Sequence, residues 1–140
     1  DNSRTPMQWD ASENAGFTTG IPWIAVNPNY KKINVADQLK REDSVFNYYK
    51  KLIRLRKENE IIVYGNYELL LPEDENIFAY TRTLDNQKLL VVCNFSKSEQ
   101  KFDFSGYENA KVLISNYNRD AGEDGILKPY EATVLLLENA

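Results

Sequence analysis

Residues 1–33 follow neither of the periods that build helices and strands, yet they carry Met7, Trp9, Phe17, Ile21, Trp23, Ile24 and Tyr30. A compact domain rarely contains a structureless loop longer than about 15 residues. Large apolar side chains in such a run need a surface to pack on. The segment therefore reads as a functional loop or as one piece of a larger body, and the surface it needs is expected to lie outside this chain.

Regular periods begin at Asn34, a good N-cap for a short helix from Val35 to about Lys40. Asp43 or Ser44 then opens a longer helix. Val45, Phe46, Tyr49, Leu52, Ile53 and Arg56 recur there at helical spacing, as far as Lys57 or Glu58. That spacing makes one apolar stripe and turns the basic residues toward water. After Ile61 the texture changes. Tyr67–Leu71, Ile77–Leu84, Lys88–Phe95, Lys101–Phe104, Lys111–Ser115 and Ala132–Leu137 are predicted strands, separated by turn-forming stretches such as Pro72–Asn76 and Asp85–Gln87. Short strands with a turn about every ten residues point to an antiparallel β-sandwich. Leu89–Cys93 is apolar on both faces and predicts a central strand. The fold class is mainly β, preceded by a long loop and two helices. Helices followed by strands usually form separate units. The boundary is expected near residues 59–66, giving units 1–60 and 61–140.

The composition removes several functions. The chain has no histidine, so it can form neither a Ser–His nor a Cys–His nucleophile pair and offers no imidazole to a metal. Catalysis within it would rest on carboxylates, Lys, Tyr or Arg. The net charge is −4, and the basic cluster Lys50, Lys51, Arg54, Arg56 and Lys57 spreads around the wet side of a helix. Nucleic-acid binding needs a basic stripe to neutralise phosphates, so no nucleic-acid partner is expected. No apolar run approaches the roughly 20 residues of a membrane helix, so no membrane partner is expected either. The single cysteine, Cys93, lies in an apolar strand, reads as a small buried hydrophobe, and fits a reducing, cytoplasmic compartment. No cofactor and no metal are expected. Asp120–Gly125 lacks the spaced oxygen ligands and the closing Glu of a calcium loop, and reads, like Glu73-Asp74-Glu75, as a solvated acidic turn. Tyr67, Phe78, Tyr80, Phe95, Phe102, Phe104 and Tyr107 sit at strand spacing and are expected in the core or on a half-buried sheet face.

The opening run Asp1-Asn2-Ser3-Arg4-Thr5-Pro6-Met7-Gln8-Trp9-Asp10 resembles the loop after the eighth barrel strand in the oligo-1,6-glucosidases of the α-amylase superfamily (glycoside hydrolase family 13). Dextran glucosidases and trehalose-6-phosphate hydrolases are among their relatives. Asn14–Gly20, Pro22-Trp23, Val26–Tyr30 and Ile33–Val35 continue the likeness, and Ser44–Phe46 with Leu52–Lys57 look like the last barrel helix. The strands match more loosely, in phrases such as Val92-Cys93-Asn94-Phe95-Ser96. The resemblance implies the tail of a (β/α)8 barrel followed by a C-terminal antiparallel domain. The parent would be a retaining, exo-acting α-glucosidase for α-1,6-linked or related small glucosides. Retention needs two carboxyl groups about 5 Å apart. In the family these lie in barrel strands upstream of the matched segment, so no catalytic residue is expected here and the chain alone should be inactive. Its implied partners are a small oligosaccharide in the intact enzyme and the N-terminal barrel. The substrate could equally be trehalose 6-phosphate, whose recognition would depend on loops outside this segment. A rival of another class is a free-standing carbohydrate-binding or structural β-domain.

Arg4 is the candidate substrate-binding residue. The resemblance places it in the pocket for the non-reducing-end glucose, paired with an aspartate from an early barrel loop. A planar, always-charged fork can hold a carboxylate while donating to sugar hydroxyls. Without the resemblance, an arginine here reads first as a structural residue that pins the loop through backbone hydrogen bonds. Asp1 and Asp10 in the same loop are expected to cap turns or balance Arg4. Trp9, Phe17, Trp23 and Tyr30 are expected mainly to pin the loop to a body, with sugar stacking the lesser alternative.

Overall fold

A computed structural model describes residues 2–120 and 125–138. The chain divides into two compact units, Asp1–Arg54 and Leu55–Ala140.

The first unit is built from turns and helices. Three short 3-10 turns, Asn2–Arg4, Glu13–Gly16 and Pro28–Lys31, punctuate the opening segment. Helix α1 spans Val35–Lys40, and its first turn is capped by Asn34, whose side chain accepts from the Asp37 N–H at 2.9 Å. Two more of its unsatisfied amides are met from a distance in sequence: Val35 N–H donates to the Gln8 carbonyl and Ala36 N–H to that of Trp9, each at 2.9 Å. The segment is therefore ordered by hydrogen bonds rather than by a period. Helix α2 spans Val45–Glu58. Of the two expected caps, Ser44 serves: its buried hydroxyl accepts from Asn47 N–H and donates to the Gln38 carbonyl. The apolar stripe of α2 is present, but Val45, Tyr49 and Ile53 on it are each more than half exposed.

The second unit is antiparallel. A one-turn helix α3, Ile61–Tyr64, leads into β1 (Asn66–Leu70), β2 (Ile77–Leu84), β3 (Gln87–Asn94), β4 (Gln100–Lys101), β5 (Lys111–Ser115), β6 (Ile126–Leu127) and β7 (Ala132–Glu138). Five strands form one sheet in the order β1-β2-β3-β7-β5, and β4 with β6 forms a two-stranded ladder. β3 is the central strand, flanked by β2 and β7. β2 and β3 are joined by the two-residue turn Asp85-Asn86, with Asp85 left-handed at φ 51°.

Alternation along the strands places a core on each face of the large sheet. On one face Ile77, Ala79, Leu90, Val92 and Leu135 pack with Phe104, Ala110 and with Leu127 of the short ladder. This is the sandwich interior, its second layer reduced to β4 and β6. On the other face Leu89, Leu113 and Leu136 pack under Ile61 of α3, with Leu55 and Ile62 against them. Each buried Leu contributes about 1.5–3 kcal/mol by leaving water. Leu89 and Leu90 serve opposite cores, which is why the stretch Leu89–Cys93 is apolar on both faces. Alternation on β5 turns Val112 to the first core and Leu113 to the second, and a bulge between Val112 and Ile114 then sets Ile114 opposite Val134. The small residues of β2, not its aromatics, face the sandwich interior. Phe78 and Tyr67 are 43% and 51% exposed on the opposite face.

Polar groups inside this unit are paired with one exception among the described residues. Thr133 is fully buried on β7, and its Oγ1 has no hydrogen-bond partner. A buried hydroxyl left unpaired costs about 1–3 kcal/mol. Thr133→Val keeps the shape and removes the orphan, so it should raise stability by about 1 kcal/mol, read as a higher urea midpoint at unchanged slope. A lower midpoint would count against the hydroxyl being unsatisfied. No helix among the described residues is long and apolar enough to cross a membrane.

Candidate functional site

Arg4 closes the first 3-10 turn and stands exposed, next to the buried Pro6. Its guanidinium lies over the ring of Trp23, with Cζ 5.2 Å from the ring centroid. That is cation–π range, and an exposed stack of this kind contributes about 0.5–1 kcal/mol. Trp23 follows Pro22 in a bend and is 84% exposed, so its ring presents a large apolar surface beside a fixed positive charge. A flat ring next to a forked donor suits a pyranose, whose faces are apolar and whose rim carries hydroxyls.

The scaffold below these residues is a knot of short-range bonds. Gln8 donates through Nε2 to Asn29 Oδ1 at 3.0 Å and to the Ile33 carbonyl. Asn14, Ala15 and Gly16 run through the left-handed region in succession, at φ 50°, 58° and 68°. A left-handed conformation is costly for alanine and is maintained only by its surroundings. Here Ala15 is fully buried, and its carbonyl accepts from both Trp9 and Asp10 N–H. Gly16 has no room for a side chain, since a Cβ would come within 2.8–2.9 Å of the Asp10 carboxylate. Asn14 Nδ2 donates onward to the carbonyls of Thr18 and Gly20. The loop bearing Trp23 is thus tied back toward the strained turn.

Asp10 caps a turn. Its Oδ1 accepts from Ser12 Oγ at 2.5 Å and Ser12 N–H at 2.8 Å, and these two bonds hold its carboxyl below the ordinary carboxylate range. Asp74 does the same in the acidic turn before β2, accepting from the Asn76 and Ile77 amides. Asp1 and residues 121–124 of the acidic stretch lie outside the described residues. Among the described residues no group of three or more His, Cys, Asp or Glu gathers as a metal would require. Cys93 is half-buried rather than fully buried, and burial pushes its thiol up.

Of the loop aromatics, Trp9, Phe17 and Trp23 are each about half exposed or more. Within this unit they do not find the surface they were expected to need. A neighbouring hollow of about 710 Å³ has Met7, Ile33, Val35, Val45 and Phe46 in its walls. It is mostly apolar and does not include Arg4, which fits protein packing better than a sugar. The Arg4–Trp23 stack does not follow from the sequence, because the two residues are far apart in an aperiodic run.

Comparison with known proteins agrees over both units. The α-amylase catalytic domain family matches residues 1–65, and the family of the C-terminal domain of α-amylase SusG matches residues 77–134. The oligo-1,6-glucosidase of Parageobacillus thermoglucosidasius is 56% identical over 140 residues, covering 96% of this chain and 25% of that protein. The crystal structure of Bacillus licheniformis trehalose-6-phosphate hydrolase superposes with a TM-score of 0.90 at 47% identity, over 99% of this chain and 26% of that one. Isomaltulose synthase from Klebsiella sp. LX3 superposes at 0.87 and 44%, over 98% and 26%. The chain thus spans about a quarter of the length of the relatives it matches.

Proposed function

Because this chain belongs to the α-amylase superfamily, we propose that it forms the C-terminal part of a retaining, exo-acting α-glucosidase acting on α-1,6-linked or related small glucosides. The observation that carries this reading is the 56% identity to an oligo-1,6-glucosidase over nearly the whole chain. In this reading residues 1–60 complete a (β/α)8 barrel and residues 61–140 form a separate β-sandwich. The catalytic-domain family match runs to residue 65 and α2 to Glu58, which supports a boundary just past that helix. Arg4 binds the terminal glucose, and the acid/base and nucleophile come from the rest of the barrel. The exposed stripe of α2 and the exposed loop aromatics support burial against that barrel. The single thiol fits a cytoplasmic enzyme.

A second substrate has its own support, since the structure with a TM-score of 0.90 is a trehalose-6-phosphate hydrolase. The test is hydrolysis by the intact enzyme. Isomaltose and an aryl α-glucoside should be cleaved with release of the α-anomer, and faster than trehalose 6-phosphate. The 140-residue chain alone should release nothing from any of them. Turnover by that chain, lost on replacing one of its own acids, would sink the proposal. A preference for trehalose 6-phosphate would move the substrate but keep the enzyme class.

A further inference from the structure

We infer that Trp23 is a positioning residue for Arg4: the indole face fixes the plane of the guanidinium that meets the substrate. The inference rests on the reading that Arg4 binds the terminal glucose. Three observations support it. The guanidinium lies 5.2 Å from the indole centroid, within stacking range. Trp23 is 84% exposed within its unit, so its ring is not a core element there, and the group it lies against is the Arg4 guanidinium. And the stretch leading to it is tethered, since Asn14, in the left-handed turn Asn14–Gly16, donates to the carbonyls of Thr18 and Gly20, the latter three residues before the ring.

The physical need is specific. An arginine side chain has several rotatable bonds, and a two-pronged donor works only when its plane is set. Hydrogen bonds to a carboxylate hold one edge of the fork. A stacked ring holds the plane itself, and an indole does so with the strongest face of the aromatic side chains. Misplacing the terminal sugar shifts the anomeric carbon from its nucleophile, so loss of the ring should appear chiefly in kcat.

The test is a double-mutant cycle in the intact enzyme. Trp23→Ala should lower kcat/KM about fivefold when Arg4 is present. In the Arg4→Ala background the same change should cost less than about twofold, because there is no fork left to orient. Trp23→Phe should recover most of the loss, whereas Trp23→Leu, similar in apolar character but without a π face, should not. Equal losses in both backgrounds, or full activity in Trp23→Leu, would overturn the positioning role. Normal kinetics in Arg4→Ala would instead overturn the reading of Arg4 itself, and this one with it.

Discussion

Arg4→Ala is expected to lower kcat/KM of the intact enzyme about a hundredfold. In the proposed site Arg4 serves two partners, a carboxylate of the barrel and the hydroxyls of the terminal glucose. Removing it leaves that carboxylate buried and unpaired, a change that costs about 3–5 kcal/mol. If about 3 kcal/mol of this is felt in the transition state, the rate falls by roughly two powers of ten. Arg4→Lys should recover little, because a single ammonium cannot copy a planar fork. Stability should fall less than activity: the two hydrophobic clusters of the antiparallel unit draw on no residue before Leu55. A purely structural arginine predicts the reverse, a lower Tm with nearly normal kinetics in the folded fraction. Measuring both on one preparation separates the two.

The largest effect on folding is expected from Glu131→Ala. Glu131 is 1% exposed and Arg119 6%. Arg119 Nε donates to Glu131 Oε1 at 2.5 Å, its Nη2 reaches the Ile126 carbonyl, and Glu131 Oε2 accepts from Lys128 N–H at 2.7 Å. The guanidinium also stacks on Phe104, 5.1 Å from the ring centroid. One carboxylate thus satisfies a buried cation and a backbone amide. Its removal takes the counter-charge from one and the acceptor from the other, at about 3–5 kcal/mol, against a total stability of about 5–15 kcal/mol for an ordinary domain. The urea midpoint of the antiparallel unit should drop accordingly. Replacing both partners, as Arg119→Met with Glu131→Leu, should restore much of the loss, since a buried pair has already lost most of its Coulomb gain to desolvation. A single variant within about 1 kcal/mol of wild type would contradict this account.

The pair also shows what was legible in the sequence and what was not. Local signals were read well. Asn34 is legible as a cap because its side chain can reach an amide three residues on, and it accepts from the Asp37 N–H. Ile77–Leu84 and Lys111–Ser115 begin and end where alternation placed them, and Leu89–Cys93 lies at the centre of the sheet because both its faces are buried. Features that depend on distant partners were missed. Lys101–Phe104 was expected as a strand, but pairing stops at Lys101: Phe104 turns into the core, and Phe102 N–H donates to the Gly125 carbonyl outside the ladder. The partner strand Ile126–Leu127 is too short to show a period. Ile61–Tyr64 sits where a linker was expected, because one helical turn has no periodicity to detect and is held by Ile61 packing under the sheet. Neither the Arg119–Glu131 pair nor the Arg4–Trp23 stack follows from spacing.

The strand order β1-β2-β3-β7-β5 has a consequence for synthesis. β7, the latest of the five sheet strands in chain order, lies inside the sheet and supplies the partner of both β3 and β5. While the chain is still emerging from a ribosome, β1 to β3 can form a meander through short connections, but β5 has no neighbour in the sheet. Both strands expose unpaired backbone edges during that interval, the condition under which chains join to one another. β5 carries its bulge and a leading Lys111, two features that blunt such an edge. Completion of the sheet is therefore a single late event, and a nascent chain halted before Ala132 would leave β3 open on one side and β5 on both.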